Sequence, residues 1–332
     1  MQNKKLCNVR ILVTGGAGFI GSNLVETFLQ NGNEVVCLDN FSTGKKENIK
    51  EFLSHKRFSF FHGDIRNIRD CRKAVAGVDY VFHQAALGSV PRSVKDPHTT
   101  HEVNVNGFLN MLIASKEEKV RRFIYASSSS VYGDTEELPK KENFTGTPLS
   151  PYAVTKIVNE KYATVFSSLY GIETVGLRYF NVFGKKQNPE GEYAAVIPRF
   201  ISQLLAHRSP VIYGDGNQTR DFTHVDNVTE ANQLAALVSA PEALNTVYNV
   251  ACGEQTSLNE LFHILVDLLC RYDESIASVK PQYAEPRQGD IRNSFASVEK
   301  AEKKLGYKPL LNIRQGLEKT IDWYYHALKM ID

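Results

Sequence analysis

Apolar and polar residues alternate along the first half of the chain in blocks that predict strands and helices in turn. Positions 9–13 form a short apolar run with β-branched residues and no turn formers, which is typical of a buried parallel strand. Apolar residues then recur at helical spacing from Phe19 to Leu29. Strands that alternate with helices predict an α/β fold built on a doubly wound parallel sheet. Further strands are predicted at 34–39, 58–62, 79–83, 122–127 and 174–178, with helices notably at 99–115 and 151–170.

The pattern changes after residue 180 into loops, shorter strands and helices such as 196–206 and 228–238. We therefore predict two domains, residues 1–180 and residues 181–332, the second being a smaller α/β domain that binds the substrate. The run at 248–250 resembles a strand that returns to the main sheet, so segments near 222–252 would belong to the first domain. The two domains would then interleave.

Three glycines link the first predicted strand to the first helix. Gly15 permits a tight turn, Gly18 lets a phosphate approach the backbone, and Gly21 lets the helix lie close on the sheet. A strand that turns through glycines into a helix directs amide N–H groups and the positive helix end at one place, which suits a pyrophosphate. Ordinary strand–turn–helix connections also use glycine, so the triplet alone leaves both interpretations open.

An acidic residue ends the next predicted strand, at the place where a Rossmann-type sheet binds a dinucleotide. Asp39 follows Gly21 by 18 residues, and this fold places an acid about 20 residues on to bind the adenosine ribose. Asp39 would repel a 2′-phosphate, so NAD is favoured over NADP as the cofactor, although Lys45 and Lys46 lie nearby.

Later strand ends also carry residues that could line the same crevice. Asp64 could meet the adenine, and Gln84 with the two alanines after it could pass under the cofactor, although each could be an ordinary strand-end turn. The candidate cofactor-binding residues are Gly15, Gly18, Phe19, Ile20, Gly21, Asp39, Asn40, Ser42, Thr43, Gly44, Asp64, Ile65, Gln84, Ala85, Ala86, Tyr152, Lys156 and Tyr179.

A tyrosine and a lysine in the segment SPYAVTK form a candidate acid–base pair. Ser150 can cap a helix there and Pro151 suits its first turn, so Tyr152 and Lys156, four residues apart, share one helix face. The lysine and the positive nicotinamide of an oxidised cofactor would favour the phenolate. Lowering the tyrosine pKa by about three units from about 10 requires roughly 4 kcal/mol. A solvated helix face is the alternative interpretation.

Four serines, Ser127 to Ser130, end the preceding strand. A hydroxyl at the carboxyl edge of a strand lies over the cofactor crevice and can hydrogen-bond a reacting alcohol. A serine run alone is more often a turn.

Composition excludes several classes of function. The chain has 332 residues, and its formal net charge of +2 is too small to indicate nucleic-acid or membrane-surface binding. No apolar run reaches the roughly 18 residues that span a bilayer, and a cytoplasmic protein is expected. Five scattered cysteines predict reduced thiols. His98 and His101 could share a metal, but no acid or cysteine nearby completes a ligand set, so no metal is expected.

Several motifs together resemble one enzyme family. GGAGFIG, Ser–Val–Tyr–Gly, Tyr–x–x–x–Lys and LRYFNVFG resemble the extended short-chain dehydrogenase/reductases, in particular the nucleotide-sugar 4-epimerases. HQAALGSVPRS, LSPYAVTK, QNPEGEYAAVIPRF and GDGNQTRDF are similar to bacterial UDP-N-acetylglucosamine 4-epimerases. The resemblance covers the chain from about Val9 to Tyr325.

The resemblance implies roles for matching residues. Ser128, four residues before Tyr132, would be the hydroxyl partner. Tyr152 would be the base and acid, and Lys156 its electrostatic partner, which also holds the nicotinamide ribose. In this family the two long helices pack against those of a second subunit, so a homodimer is expected.

On the substrate side, the resemblance implies that Arg220 and Arg287 clamp a diphosphate, for which arginine is better suited than lysine. A surface ion pair is the alternative for both. Asp290 would bind the uridine ribose and Tyr213 the uracil. Ser294 would leave room for an acetamido group at C2, or would merely begin a strand. The candidate substrate-binding residues are Gly88, Ser89, Ser128, Ser129, Asn181, Ala195, Val196, Tyr213, Arg220, Arg287, Asp290 and Ser294.

The expected function is NAD-dependent C4 epimerisation of a UDP-N-acetylhexosamine, from UDP-GlcNAc to UDP-GalNAc, through a transient 4-keto sugar. Ser127 and Val131 also resemble uronate epimerases, so a UDP-hexuronate or UDP-N-acetylhexuronate 4-epimerase stays open. A 4,6-dehydratase or decarboxylase would need a carboxylate where Ser129 and Ser130 stand. A non-catalytic dinucleotide sensor would usually lack the tyrosine or the lysine.

Overall fold

The structure is a computed structural model that describes residues 5–188, 195–286 and 292–329. The strands of these residues are β1 (Arg10–Thr14), β2 (Glu34–Asp39), β3 (Phe58–His62), β4 (Tyr80–His83), β5 (Arg122–Ser128), β6 (Glu173–Tyr179), β7 (Val182–Phe183), β8 (Val211–Tyr213), β9 (Thr219–Arg220), β10 (Thr223–His224), β11 (Thr246–Val250), β12 (Thr256–Ser257), β13 (Gln282–Ala284) and β14 (Asn293–Ser294). The α-helices are α1 (Phe19–Gln30), α2 (Ile68–Val75), α3 (Val90–Lys95), α4 (Pro97–His101), α5 (Gly107–Glu117), α6 (Pro151–Tyr170), α7 (Val196–Leu205), α8 (Val225–Leu237), α9 (Leu258–Leu269), α10 (Glu299–Leu305) and α11 (Ile313–Lys329).

Seven parallel strands form the main sheet in the order β11-β6-β5-β4-β1-β2-β3. The chain builds the sheet outward in both directions from the neighbours β1 and β4, so a crevice opens where the connections diverge, at the carboxyl ends of the strands. This is the doubly wound sheet that the alternating pattern predicts. The predicted return strand at 248–250 is also confirmed, as part of β11 beside β6.

Helices cover both faces of the sheet. Leu24 and Phe28 of α1 are fully buried in the core on one face. Phe108 and Met111 of α5 are fully buried in the core on the other. A third core, which includes Phe200, joins α7, α9 and α11 apart from the main sheet. The division at residue 180 stays a prediction.

The helix predicted at 151–170 is confirmed as α6, and Ser150 caps it by accepting a hydrogen bond from Ala153 N at 3.2 Å. The helix predicted at 99–115 is instead interrupted. Between α4 and α5 the residues Glu102–Asn106 form a π-helical turn, which the apolar spacing did not reveal. None of the described helices is both long enough and apolar enough to cross a membrane.

Candidate active site

The glycine-rich turn between β1 and α1 leaves no room for side chains. Gly15 has φ of +66°, and a Cβ there would lie 2.8 Å from the backbone of Ala85. A Cβ on Gly21 would lie 2.1 Å from Gly15 O, so this glycine lets the helix lie close on the turn itself. Within the described residues, no side chain caps the helix start at Gly18 and no acid lies in the first turn. Such a free helix N-terminus fits the pyrophosphate of a dinucleotide.

Asp39 holds the turn together from the end of β2. Its carboxylate accepts hydrogen bonds from Ala17 N at 3.0 Å and from Phe41 N at 2.8 Å. Burial raises the pKa of Asp39, and the backbone N–H groups oppose that rise. A carboxylate fixed in this way beside the glycine turn suits a ribose diol and repels a 2′-phosphate.

A second carboxylate follows β3. Asn40 Nδ2 donates to Asp64 Oδ2 at 3.0 Å, and Arg66 pairs with the same carboxylate at 2.6 Å. The hydrogen bond from Arg66 is the main reason that the pKa of Asp64 is lowered to about 2. Asp64 is therefore ionised and fixed at the crevice.

A cavity of about 440 Å³ runs along this edge of the sheet. All the predicted cofactor residues except Gly44 line it, and Gly44 packs beneath it, where a Cβ would lie 2.9 Å from Asp39 Oδ2. Of the predicted substrate residues, Gly88, Ser128 and Asn181 line it. Ser127, the first of the four serines noted in the sequence, also lines it. The structure adds lining residues that the sequence did not indicate: Leu38, Gly63, Leu87, Val103, Ala126 and Val182.

The candidate acid–base pair lies on the face of α6 that borders the cavity. Lys156 Nζ donates to Ala126 O at 2.8 Å and lies 5.8 Å from the centre of the Tyr152 ring. Burial lowers the pKa of Lys156 to about 8, and the negative charge of Glu160 opposes that shift. Lys156 therefore gives up its proton more readily than a solvated lysine does.

Ser128, at the end of β5, lines the same cavity as Tyr152. Burial raises the pKa of Tyr152, and the nearby Ser128 side chain, as a hydrogen-bonding group, lowers it. The polypeptide therefore does not by itself produce the predicted lowering of the tyrosine pKa. The positive nicotinamide would have to supply the remaining stabilisation of the phenolate.

Two hydrogen bonds from backbone N–H groups to side chains fix the loop after β4. Ala85 N donates to Thr14 Oγ1 at 3.2 Å, and Leu87 N donates to Asn104 Oδ1 at 2.8 Å. Asn104 belongs to the π-helical turn, and its Nδ2 donates to Thr155 Oγ1 of α6 at 3.2 Å. The sequence reasoning missed Asn104 because nothing in the apolar spacing distinguishes a π-helical turn from a regular helix.

Tyr179 crosses the crevice floor. Its hydroxyl donates to Gln84 Oε1 at 3.1 Å and accepts from Asn232 Nδ2 at 2.9 Å. Tyr179 and Gln84 were predicted to bind the cofactor, whereas Asn232, in α8, was not predicted from the sequence. These contacts fix the ring of Tyr179 beside the cavity.

The other predicted substrate residues that the structure describes lie outside the lining of this cavity. Arg220 and Ser294 are register partners in the parallel pair β9–β14. Each of the remaining described candidates lies at the start or end of an element. Ser89 caps α3, Ser129 begins a 3₁₀ turn, Ala195 and Val196 start α7, and Tyr213 ends β8. Arg287 and Asp290 lie outside the described residues.

A sequence model of the NAD dependent epimerase/dehydratase family matches residues 11–251. The chain belongs to this family. It is therefore an enzyme that uses NAD, and the turn at Gly15, the carboxylate of Asp39 and the cavity they border fit that cofactor. The match also confirms the resemblance to nucleotide-sugar epimerases drawn from the motifs.

Relatives resemble the enzyme over almost its whole length. A UDP-glucose 4-epimerase of Mycolicibacterium smegmatis is 36% identical over 95% of this chain and 98% of its own. The structure of a UDP-N-acetylglucosamine 4-epimerase from Methanobrevibacter ruminantium with UDP-N-acetylmuramic acid is 39% identical, with a TM-score of 0.90 over 97% of this chain and all of that one. A UDP-glucuronic acid 4-epimerase from Bacillus cereus, solved with UDP-glucuronic acid and NAD, is 34% identical, with a TM-score of 0.86 over 96% of this chain and 99% of that one. These relatives are isomerases, as is this enzyme.

Proposed function

We propose that the enzyme interconverts the gluco and galacto forms of a UDP-N-acetylhexosamine by epimerisation at C4. The proposal is carried by one observation: Ser128, Tyr152 and Lys156 line the same cavity as the glycine turn and Asp39. A hydroxyl, a phenol and an ammonium group at the nicotinamide end of a dinucleotide site suit reversible oxidation of a secondary alcohol.

The residues of the chain would bind the cofactor and move one proton. The glycine turn would hold the pyrophosphate, Asp39 the adenosine ribose, and Lys156 the nicotinamide ribose. When bound, NAD would accept the hydrogen at C4 as a hydride and return it to the opposite face of the sugar. Tyr152 would take the proton from O4 and later give it back. Ser128 would hydrogen-bond O4, and the charge of Lys156 would favour the phenolate.

Two serines that directly follow Ser128 favour epimerisation over elimination. Ser129 and Ser130 stand where a dehydratase or a decarboxylase would need a carboxylate that moves protons. The short 3₁₀ turn Ser129–Tyr132 carries these hydroxyls directly after Ser128. With no acid in this turn, the oxidised sugar would have no partner for loss of water.

The choice of an N-acetylated substrate rests on two observations. Ser294 is a small residue beside Arg220 in the β9–β14 pair, and the relative from Methanobrevibacter ruminantium acts on UDP-N-acetylglucosamine. A UDP-hexuronate is the second candidate, favoured by the relative from Bacillus cereus and by Ser127 and Val131.

The test is a panel of sugars with one enzyme preparation. UDP-GlcNAc, UDP-glucose and UDP-glucuronic acid are each incubated with the enzyme and NAD, and the products are resolved by NMR. We expect UDP-GlcNAc to give the highest kcat/KM. Preferential turnover of the uronate would replace the proposed substrate, and no 4-epimer from any of the three would refute the proposed reaction.

We further propose that the enzyme is a homodimer in which α5 and α6 pack against the same helices of a second copy. Val154, Val165 and Leu169 of α6 are 45%, 48% and 68% exposed, an apolar content unusual for a solvated helix. Light scattering should give the dimer mass, and L169E should shift it toward the monomer without loss of helix content. A concentration-independent monomer mass would exclude the dimer.

A further inference from the structure

Glu160 extends the row of functional side chains on α6 by one more turn. Tyr152, Lys156 and Glu160 follow one another at four-residue spacing and so share a helix face. The proposed reaction assigns no role to Glu160. Its side chain is only 13% exposed, which is unusual for a carboxylate unless it is paired.

The carboxylate of Glu160 bridges α6 to the two strands beneath it. Oε1 accepts from Ser127 Oγ at 2.5 Å and from Arg178 Nε at 2.9 Å, and Oε2 accepts from Arg178 Nη2 at 2.8 Å. Ser127 and Arg178 are register partners in the β5–β6 ladder. One carboxylate therefore ties the helix to two adjacent strands at their carboxyl ends, where the cavity lies.

We propose that Glu160 is a positioning residue that fixes the Ser128–Tyr152 contact and supplies the counter-charge of Lys156. The inference rests on the proposed function, because it assumes that Ser128, Tyr152 and Lys156 carry the reaction. Ser127 immediately precedes Ser128, so the bond to Glu160 holds the strand end against α6. A strand end that slipped would carry the Ser128 hydroxyl away from the phenol.

Several titratable groups lie around Lys156. On α6 these are Tyr152 and Glu160, on β4 His83, and on β6 Arg178, which pairs with Glu160. Burial, with the nearby lysine, lowers the pKa of His83 to about 3, so this histidine is neutral and offers no counter-charge. Glu160 is the group that opposes the lowering of the Lys156 pKa by burial. Without it, Lys156 would lose its proton at a lower pH.

The chain offers a matched control for removal of this carboxylate. Glu173 pairs with Arg122 through Nε at 2.9 Å and Nη2 at 2.7 Å, and the two residues are register partners in the same β5–β6 ladder. They begin the two strands, whereas Ser127 and Arg178 lie near the strand ends. E173Q thus removes the same charge from the same kind of pair, at the edge of the sheet away from the cavity.

The experiment compares E160Q with E173Q by steady-state kinetics from pH 6 to pH 10 and by thermal unfolding. We expect E160Q to lower kcat by about 10- to 100-fold with little change in KM, because a small displacement of the reacting groups has such an effect. The alkaline limb of its pH profile should move to lower pH by about one unit, through loss of the charge facing Lys156. E173Q should keep kcat and the profile within about twofold of the parent.

A readout without turnover uses the NAD-free protein. The Nζ resonance of Lys156 in protein labelled with ¹⁵N-lysine, assigned by its loss in K156M, should titrate at a lower pH in E160Q than in the parent because the ammonium group loses its counter-charge. An unchanged kcat and an unchanged pH profile in E160Q would overturn the inference.

If E160Q does not fold, S127A decides, because it removes one hydrogen bond and leaves the charge. We expect S127A to lower kcat by about 3- to 10-fold at constant KM, and wild-type kcat would overturn the positioning role. If instead Y152F keeps full activity, the proposed function fails and not this inference alone.

Discussion

Replacement of Gly21 by alanine tests the cofactor cradle most sharply. The added Cβ would lie 2.1 Å from Gly15 O, whereas ordinary contact begins at 3.4 Å, so the start of α1 would have to move by about 1.3 Å. The alanine gains about 1 kcal/mol of helix propensity, and overpacking costs about 1–3 kcal/mol. The net loss of folding free energy is therefore about 2 kcal/mol or less. A hydrogen bond from the displaced helix start to a phosphate is worth about 1.5–3 kcal/mol, so the Kd for NAD should rise about 10- to 150-fold.

The assay is calorimetric titration of NAD into the NAD-free protein, with thermal unfolding in parallel. G316A is the control. Gly316 lies in α11, away from the glycine turn, and an added Cβ there would lie 2.7 Å from the ring of Phe183. We expect G316A to lower Tm with an unchanged Kd for NAD. If G21A binds NAD as tightly as the parent, the glycine turn is not the pyrophosphate site.

Two further predictions concern residues that follow position 180. S294Y should lose turnover of UDP-GlcNAc and keep that of UDP-glucose, because a clash with the tyrosine excludes an acetamido group more strongly than a lost attraction does. Equal loss of both activities would contradict a role for Ser294 in admitting the acetamido group. Asp221 is fully buried and its pKa is raised to about 6 by burial. The native state therefore binds the proton more tightly than the unfolded chain, whose carboxyl pKa is near 3.9. Stability should fall by about 2 kcal/mol as the pH rises from 4 to 7. The free energy of unfolding of D221N, measured with urea, should lack this fall. Parallel profiles of stability against pH for the two proteins would refute the role assigned to Asp221.

Local rules account for the parts of the site that were predicted from the sequence. The φ of Gly15, the carboxylate at the end of β2 and the cap of α6 each depend on residues within one strand–turn–helix unit. The order of such units also predicted the sheet and its crevice.

The missed residues depend on contacts between distant parts of the chain. Asn104 bonds to Thr155 across 51 positions, and Asn232 bonds to Tyr179 across 53. A lone asparagine in a helix has no pattern that reveals such a partner. Glu160, at the same spacing from Lys156 as Lys156 from Tyr152, could have been found from the sequence by extending that helix face one turn.

The most direct test of the proposed reaction is the turnover of Y152F. The phenylalanine keeps the ring beside Lys156 and removes only the hydroxyl. With UDP-GlcNAc as substrate and NMR detection of the 4-epimer, we expect kcat to fall by about 10²- to 10⁴-fold, while calorimetry shows an unchanged Kd for NAD. A Y152F enzyme with the turnover of its parent would contradict the assignment of Tyr152 as the acid and base.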